Sequence, residues 1–109
     1  MIKRVGQAMG IKPEFIEEYK KLRADSNPGV RDLLRKYHIY NFSIFILQIE
    51  GKWYEFAYYE YDGNDFSSDM LKLSHEPRYI EWLKICDPMQ IPLLGANGWK
   101  EMEQIYFNE

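Results

Sequence analysis

Cysteine is almost absent from this chain of 109 residues: Cys86 stands alone, so no intrachain disulfide can form. A core-stabilised protein of a reducing compartment, the cytoplasm, is the simpler expectation. Long hydrophobic runs are absent too. The stretch MIKRVGQAMGIKPEF has no continuous apolar segment of the kind a signal peptide or membrane span needs, so no membrane partner is expected. A basic excess is also lacking, since the net charge is −3 and charges of both signs interleave, as in Glu17, Glu18, Lys20 and Lys21. A nucleic-acid binder needs a basic stripe to displace counterions from phosphates, which argues against that class. Two histidines, one cysteine and scattered carboxylates show no zinc-type ligand spacing. Gly6, Gly10, Gly63, Gly95 and Gly98 form no phosphate-binding run. No metal, nucleotide or flavin cofactor is implied.

What is present is a globular composition: 46% hydrophobic and 28% charged residues. The length is that of one domain, residues 1–109. A domain this small buries only about 65% of its unfolded surface, which makes pairing into a homodimer a reasonable expectation.

Apolar spacing predicts the elements. Ile2–Ile11 reads as a strand closed by Lys12-Pro13, with Pro13 suited to the first turn of a helix. Phe15, Ile16, Tyr19, Leu22 and Arg23 recur at helical spacing over about three turns. Asn27 is the expected N-cap of a second helix, with Pro28 in its first turn and Val30, Leu33, Leu34 and Tyr37 buried. Tyr40–Ile49 and Lys52–Tyr61 are dense in aromatic and β-branched residues, and Glu50-Gly51 between them predicts an antiparallel hairpin. One of the polar residues of Asp62-Gly63-Asn64-Asp65 should cap a helix that begins near Phe66 and buries Phe66, Met70 and Leu73. Another helix is expected over Pro77–Cys86, with Tyr79, Ile80, Trp82, Leu83 and Cys86 as its burial candidates. Asp87-Pro88 stops it. A loop over Ile91–Gly98 and a last strand over Lys100–Phe107 complete the chain.

The order β, α, α, β, β, α, α, β is a split βαβ arrangement: an α+β, ferredoxin-like fold, a four-stranded antiparallel sheet with helices on one face. The other face should carry, depending on register, Val5 and Met9, Phe42 and Ile44, or Trp53 and Tyr59. A second sheet packed against it would cover these side chains.

Several stretches carry a family signature. YEYDGNDFSSDM (residues 59–70) and EPRYIEWLKICDPMQIPL (residues 76–93) match a strand-to-helix passage, a helix and a proline-rich loop. EYKKL, Asn27-Pro28-Gly29-Val30, Asn41 and the terminal EMEQIYF match in the same order. On these residues the chain, over residues 5–109, resembles the L-rhamnose mutarotase family, isomerases of the racemase/epimerase type that interconvert the anomers of a 6-deoxyaldose. The resemblance implies a dimeric α/β barrel fold and a monosaccharide such as L-rhamnose or L-fucose as the small-molecule partner.

The resemblance also assigns site residues. Tyr19 matches a substrate-binding tyrosine, and Arg23 replaces a proton-donating histidine. Phe42 stands where many members have a substrate-binding tyrosine. Trp82 keeps the first of two adjacent tryptophans, Leu83 replaces the second, and Asn27 stands where tryptophan is common before the proline. Tyr19, Phe42, Trp82 and Leu83 are thus the substrate-binding candidates and Arg23 the catalytic one. Mutarotation moves a proton onto the ring oxygen and another off the anomeric hydroxyl, so it needs an acid and a base. Arginine holds its proton beyond pH ~12 and cannot inherit the histidine's role. It can hold a hydroxyl, stabilise an alkoxide, or fork onto a carboxylate, and the last option implies an acidic sugar. Asp25 is a replacement acid or base, weighed against capping or solvation. His38 suits the end of the second helix and His75 a surface turn. Two rivals remain: a non-catalytic sugar-binding or interaction protein on the same fold, and a small oxygenase or haem-binding relative, for which neither histidine has a ligand context.

Overall fold

Period-two alternation in KRVGQAMGI and KWYEFAYYEY builds the two central strands, and everything else packs against them. A computed structural model of the chain describes residues 2–109. Strand β1 (Lys3–Ile11) leads through a 3-10 turn at Pro13–Phe15 into helix α1 (Ile16–Leu22). Helix α2 (Arg31–Lys36) precedes the hairpin of β2 (Ile39–Ile49) and β3 (Lys52–Tyr61). Helices α3 (Phe66–Ser74) and α4 (Pro77–Cys86) follow, and then the short strands β4 (Gln90–Ile91) and β5 (Lys100–Met102). The sheet is antiparallel in the order β2-β3-β1-β4, with β5 also paired to β1. This is the expected ferredoxin-like α+β arrangement.

The expected fourth strand differs in detail. β4 pairs with the Gly10–Ile11 end of β1 and β5 with Gly6–Ala8, so two short segments share one edge. Pairing stops at Met102, and residues 103–109 are exposed, where a strand to Phe107 was expected. Pro92 and the turn around Gly95 (φ +84) keep the chain off that edge between the two segments.

The register settles which residues face the helices. Val5 pairs with Tyr59, Met9 with Glu55 and Ile44 with Ala57, all on the covered side. Phe42 packs against the same core and stacks on Tyr59, with ring centroids 5.3 Å apart. None of the three pairs expected on the uncovered face lies there. That face carries Phe45 opposite Phe56 and Leu47 opposite Tyr54, with Ile49 beyond. A bulge between Tyr40 and Ser43, with Asn41 at φ +53, puts Ile39 and Phe42 on one side although they are three residues apart. Glu50 and Gly51, both at positive φ, make the two-residue hairpin turn.

Two core clusters fill the covered side. One gathers Val5, Val30, Leu33, Ile39, Tyr59, Tyr61 and Leu73, and the other Ile11, Tyr19, Cys86 and Met89. Trp82 packs against both. Ile80, expected in the core, faces outward at 39% exposed, because the buried stripe of α4 runs through Tyr79, Trp82, Leu83 and Cys86.

Caps explain two helix boundaries. Asp65 Oδ1 accepts from the Ser68 amide at 3.1 Å, as the polar run predicts. Asn27 does not cap α2. Gly29 (φ +53) breaks the chain after Pro28, the helix begins only at Arg31, and Asn27 Nδ2 donates back to Leu22 O at 2.9 Å. Asp65→Ala should lower unfolding free energy by about 1 kcal/mol, the usual worth of a cap, while Asp65→Asn stays near the parent. Urea titration of both variants checks this; equal midpoints for parent and alanine variant would refute the cap.

Candidate functional site

The last turn of α1 aims a cation into the covered side of the sheet. The Arg23 amide donates to Tyr19 O at 3.1 Å, so the two side chains stand one turn apart. Side chains then satisfy the carbonyls that end the helix. Asn27 takes Leu22 O, and Arg31 Nη2 donates to Arg23 O and Ala24 O, each at 3.1 Å. Arg78, on α4, donates to Gly29 O at 3.0 Å and forks onto Asp32 at 2.7 and 3.0 Å, tying this crossing to the neighbouring helices.

Three rings surround the Arg23 guanidinium. Its carbon lies 5.3 Å from the Tyr19 ring centroid, 5.4 Å from Trp82 and 5.9 Å from Phe42. Trp82 is held by Gly29: a Cβ there would sit 3.1 Å from the indole, so glycine serves both the positive φ and the close approach. Arg23 lines two cavities. The outer, of about 470 Å³, also takes in Asp25, Arg31 and Arg35. The inner, of about 160 Å³, is lined by Leu83, Gln90, Tyr59 and Tyr79 among others. Phe42 and Trp82 border both.

Behind Arg23 lies a cluster that the residue pattern had not singled out. Glu55, on β3, is 1% exposed. Tyr19 OH donates to its Oε1 at 3.0 Å and Gln90 Nε2 donates to the same oxygen at 2.8 Å. Gln90 Nε2 also lies 3.3 Å from Tyr19 OH. Glu55 Oε2 and Arg23 Nε, both shielded from solvent, have no hydrogen-bond partner. Burial pushes the Glu55 carboxyl above its ordinary value, while the bonds from Tyr19 and Gln90 and the charge of Arg23 hold it back. Burial likewise drives the Tyr19 phenol far up against the opposing field of Arg23, with Glu55 adding to the rise. The Tyr19 hydroxyl therefore spends its proton on Glu55.

The expected site residues meet here in part. Arg23, Phe42, Trp82 and Leu83 line the cavities, whereas Tyr19 contributes its ring beside Arg23 and its hydroxyl to Glu55. Asp25 stands on the outer rim, its carboxylate fully exposed and 3.5 Å from Arg31. His38 and His75 are exposed, His38 3.5 Å from Asp62 and His75 at the C-cap of α3. Glu55 was findable: it is the one charged residue in the inward row Trp53, Glu55, Ala57, Tyr59, Tyr61. Gln90 had no local signal, since its role depends on the pairing of β4 with Ile11.

Because the native Glu55 carboxyl keeps its proton above ~4.3, where an unfolded glutamate releases it, its stabilising contribution is whole below that pH. It is lost as pH rises through the raised native value. Glu55→Gln keeps an oxygen for Tyr19 and Gln90 but cannot ionise. Unfolding free energy of the parent should therefore fall relative to the variant across that window. Urea titrations at a series of pH values test this, and parallel curves would rule it out.

Comparison with known proteins bears on this arrangement. A curated L-rhamnose mutarotase from Lactiplantibacillus plantarum is 39% identical over 57 residues, 52% of this chain and 53% of that protein. The match thus spans about half the length of that relative. The crystal structure of an L-rhamnose mutarotase from Formosa agariphila superposes with a TM-score of 0.71 at 17% identity, over 98% of this chain and 99% of that one. An antibiotic biosynthesis monooxygenase superposes at 0.53 and 15% identity, over 97% and 100%. Both likenesses show the shared fold. The model of the L-rhamnose mutarotase family matches residues 4–107, and the chain belongs to that family.

Proposed function

We propose that the protein is a cofactor-independent aldose mutarotase, interconverting the α and β anomers of a 6-deoxy sugar such as L-rhamnose or L-fucose. The observation that carries this reading is the convergence of Arg23, Phe42 and Trp82 on one cavity in a chain of this family. Aromatic faces suit the apolar side of a pyranose, and the guanidinium supplies hydrogen bonds to its oxygens.

The chemistry opens the cyclic hemiacetal, turns the aldehyde and closes the ring. A guanidinium is no proton carrier, so the part of Arg23 is to hold the ring oxygen or steady the alkoxide as charge develops. Protons then pass through water at the exposed rim or through Asp25. A second reading, a non-catalytic sugar-binding or interaction protein, is favoured by that same arginine, since the site holds no titrating histidine. We also propose that two copies pair through the uncovered sheet face, where Phe45 is 67% and Leu47 54% exposed. A cytoplasmic setting suits a chain with one buried cysteine, whose thiol burial pushes up to about 11.

NMR exchange spectroscopy can follow the anomeric signals of L-rhamnose and L-fucose with and without protein. Acceleration of either supports the enzyme; binding without acceleration leaves the second reading. Arg23→His should raise turnover roughly 10²-fold, the lower end of what a placed general acid contributes. If the variant binds sugar and gains nothing, the pocket has departed from the family's chemistry.

A further inference from the structure

The outer cavity presents positive charge without matching negative charge. Of its wall, Arg23, Arg31 and Arg35 are cationic and Asp25 alone is acidic, on a chain of net charge −3. Arg31 is occupied by Asp25 and by the carbonyls of Arg23 and Ala24. Arg35 makes no side-chain hydrogen bond or ion pair among the described residues. Arg23 has no ion-pair partner among them either, and its shielded Nε is unmatched. Arg78 shows the contrast: its fork is filled by Asp32. Glu55 is the carboxylate whose field reaches Arg23, but it lies beyond ion-pair distance and its bonded oxygen is taken by Tyr19 and Gln90.

Held among three aromatic rings, the Arg23 guanidinium keeps a fixed place. A planar fork so placed matches a carboxylate in two hydrogen bonds, which a lone hydroxyl cannot do. The cavity has room for one pyranose ring with waters. A uronate and a 6-deoxyaldose share that ring and differ at C6, where one carries a carboxylate and the other a methyl.

We propose that this cavity selects an anionic monosaccharide, a uronate whose C6 carboxylate is held by Arg23 with Arg35 at the mouth. The inference rests on reading the site as a sugar site, and for a uronate it places Arg23 on the C6 carboxylate in place of the ring oxygen of a 6-deoxy sugar. Phe42 and Trp82 take the ring's apolar face, and the charge on C6 replaces the missing counter-charge of Arg23.

The test titrates the protein with D-galacturonate and D-glucuronate, each beside the 6-deoxy sugar of the same ring stereochemistry, at low and high salt. Anomer exchange is followed on the same samples. The uronate of at least one pair should bind about tenfold more tightly, as charge-assisted bonds allow, and the preference should shrink with salt. Arg23→Gln should abolish the preference. Arg35→Gln, at an exposed position where folding is not at stake, should reduce it. Equal or better binding of the 6-deoxy sugars overturns the inference and leaves the mutarotase reading intact. Uronate binding without faster exchange upholds the inference and removes turnover. No binding by any of these sugars overturns the inference, and the mutarotase reading is then decided by the exchange measurement on L-rhamnose and L-fucose.

Discussion

A carboxylate buried within a sheet is the constraint on which this structure turns. Glu55 sits at an inward position of β3, shielded from bulk solvent and with no cation at ion-pair distance among the described residues. Such a group is tolerated only with donors supplied, and the donors come from two other elements, Tyr19 on α1 and Gln90 on β4. One oxygen thus ties the first helix to the hairpin and to the short edge strand. Removing either donor would leave a buried acceptor short of partners, which costs more than a neutral bond contributes. The direction of α1 is set by this tie, and with it the place of Arg23 one turn further on.

Trp82 is the second organising contact. It bridges the two core clusters and closes one side of the Arg23 cage. Its position depends on Gly29, where the absence of a side chain lets the crossing between α1 and α2 lie against the indole. Arg78 fastens that crossing from outside, although exposed ion pairs contribute little each. One cavity wall, Trp82, is therefore also the side chain that joins the two halves of the core.

Much of this was legible in the residues. Period-two strands, Glu50-Gly51 at the hairpin and Asp65 ahead of α3 are local signals, and each predicted its element. The Asn27-Pro28 pair misled, because Gly29 interrupts a pattern that otherwise reads as capped helix. Phe42 and Ile44 were misplaced for a different reason: the Tyr40–Ser43 bulge shifts the side-chain alternation of β2, and only its pairing with β3 reveals it. Phe42, Trp82, Leu83 and Arg23, expected from family resemblance, line the cavities. Gln90 was not expected, since its contact with Glu55 spans 35 residues and needs β4 docked on β1.

The fold by itself carries little of the function, as its likeness to a monooxygenase makes plain. The site of this chain holds a guanidinium in an aromatic cage. A histidine there would change charge near neutrality and could move protons, whereas a guanidinium keeps its charge throughout. The field in the cavity then does not switch off as pH rises. Behind the wall Glu55 also titrates, and its ionisation would place a negative charge near Arg23 and weaken its pull on an anion in the cavity. Buried carboxyl and caged guanidinium therefore act on one another through the wall of the site.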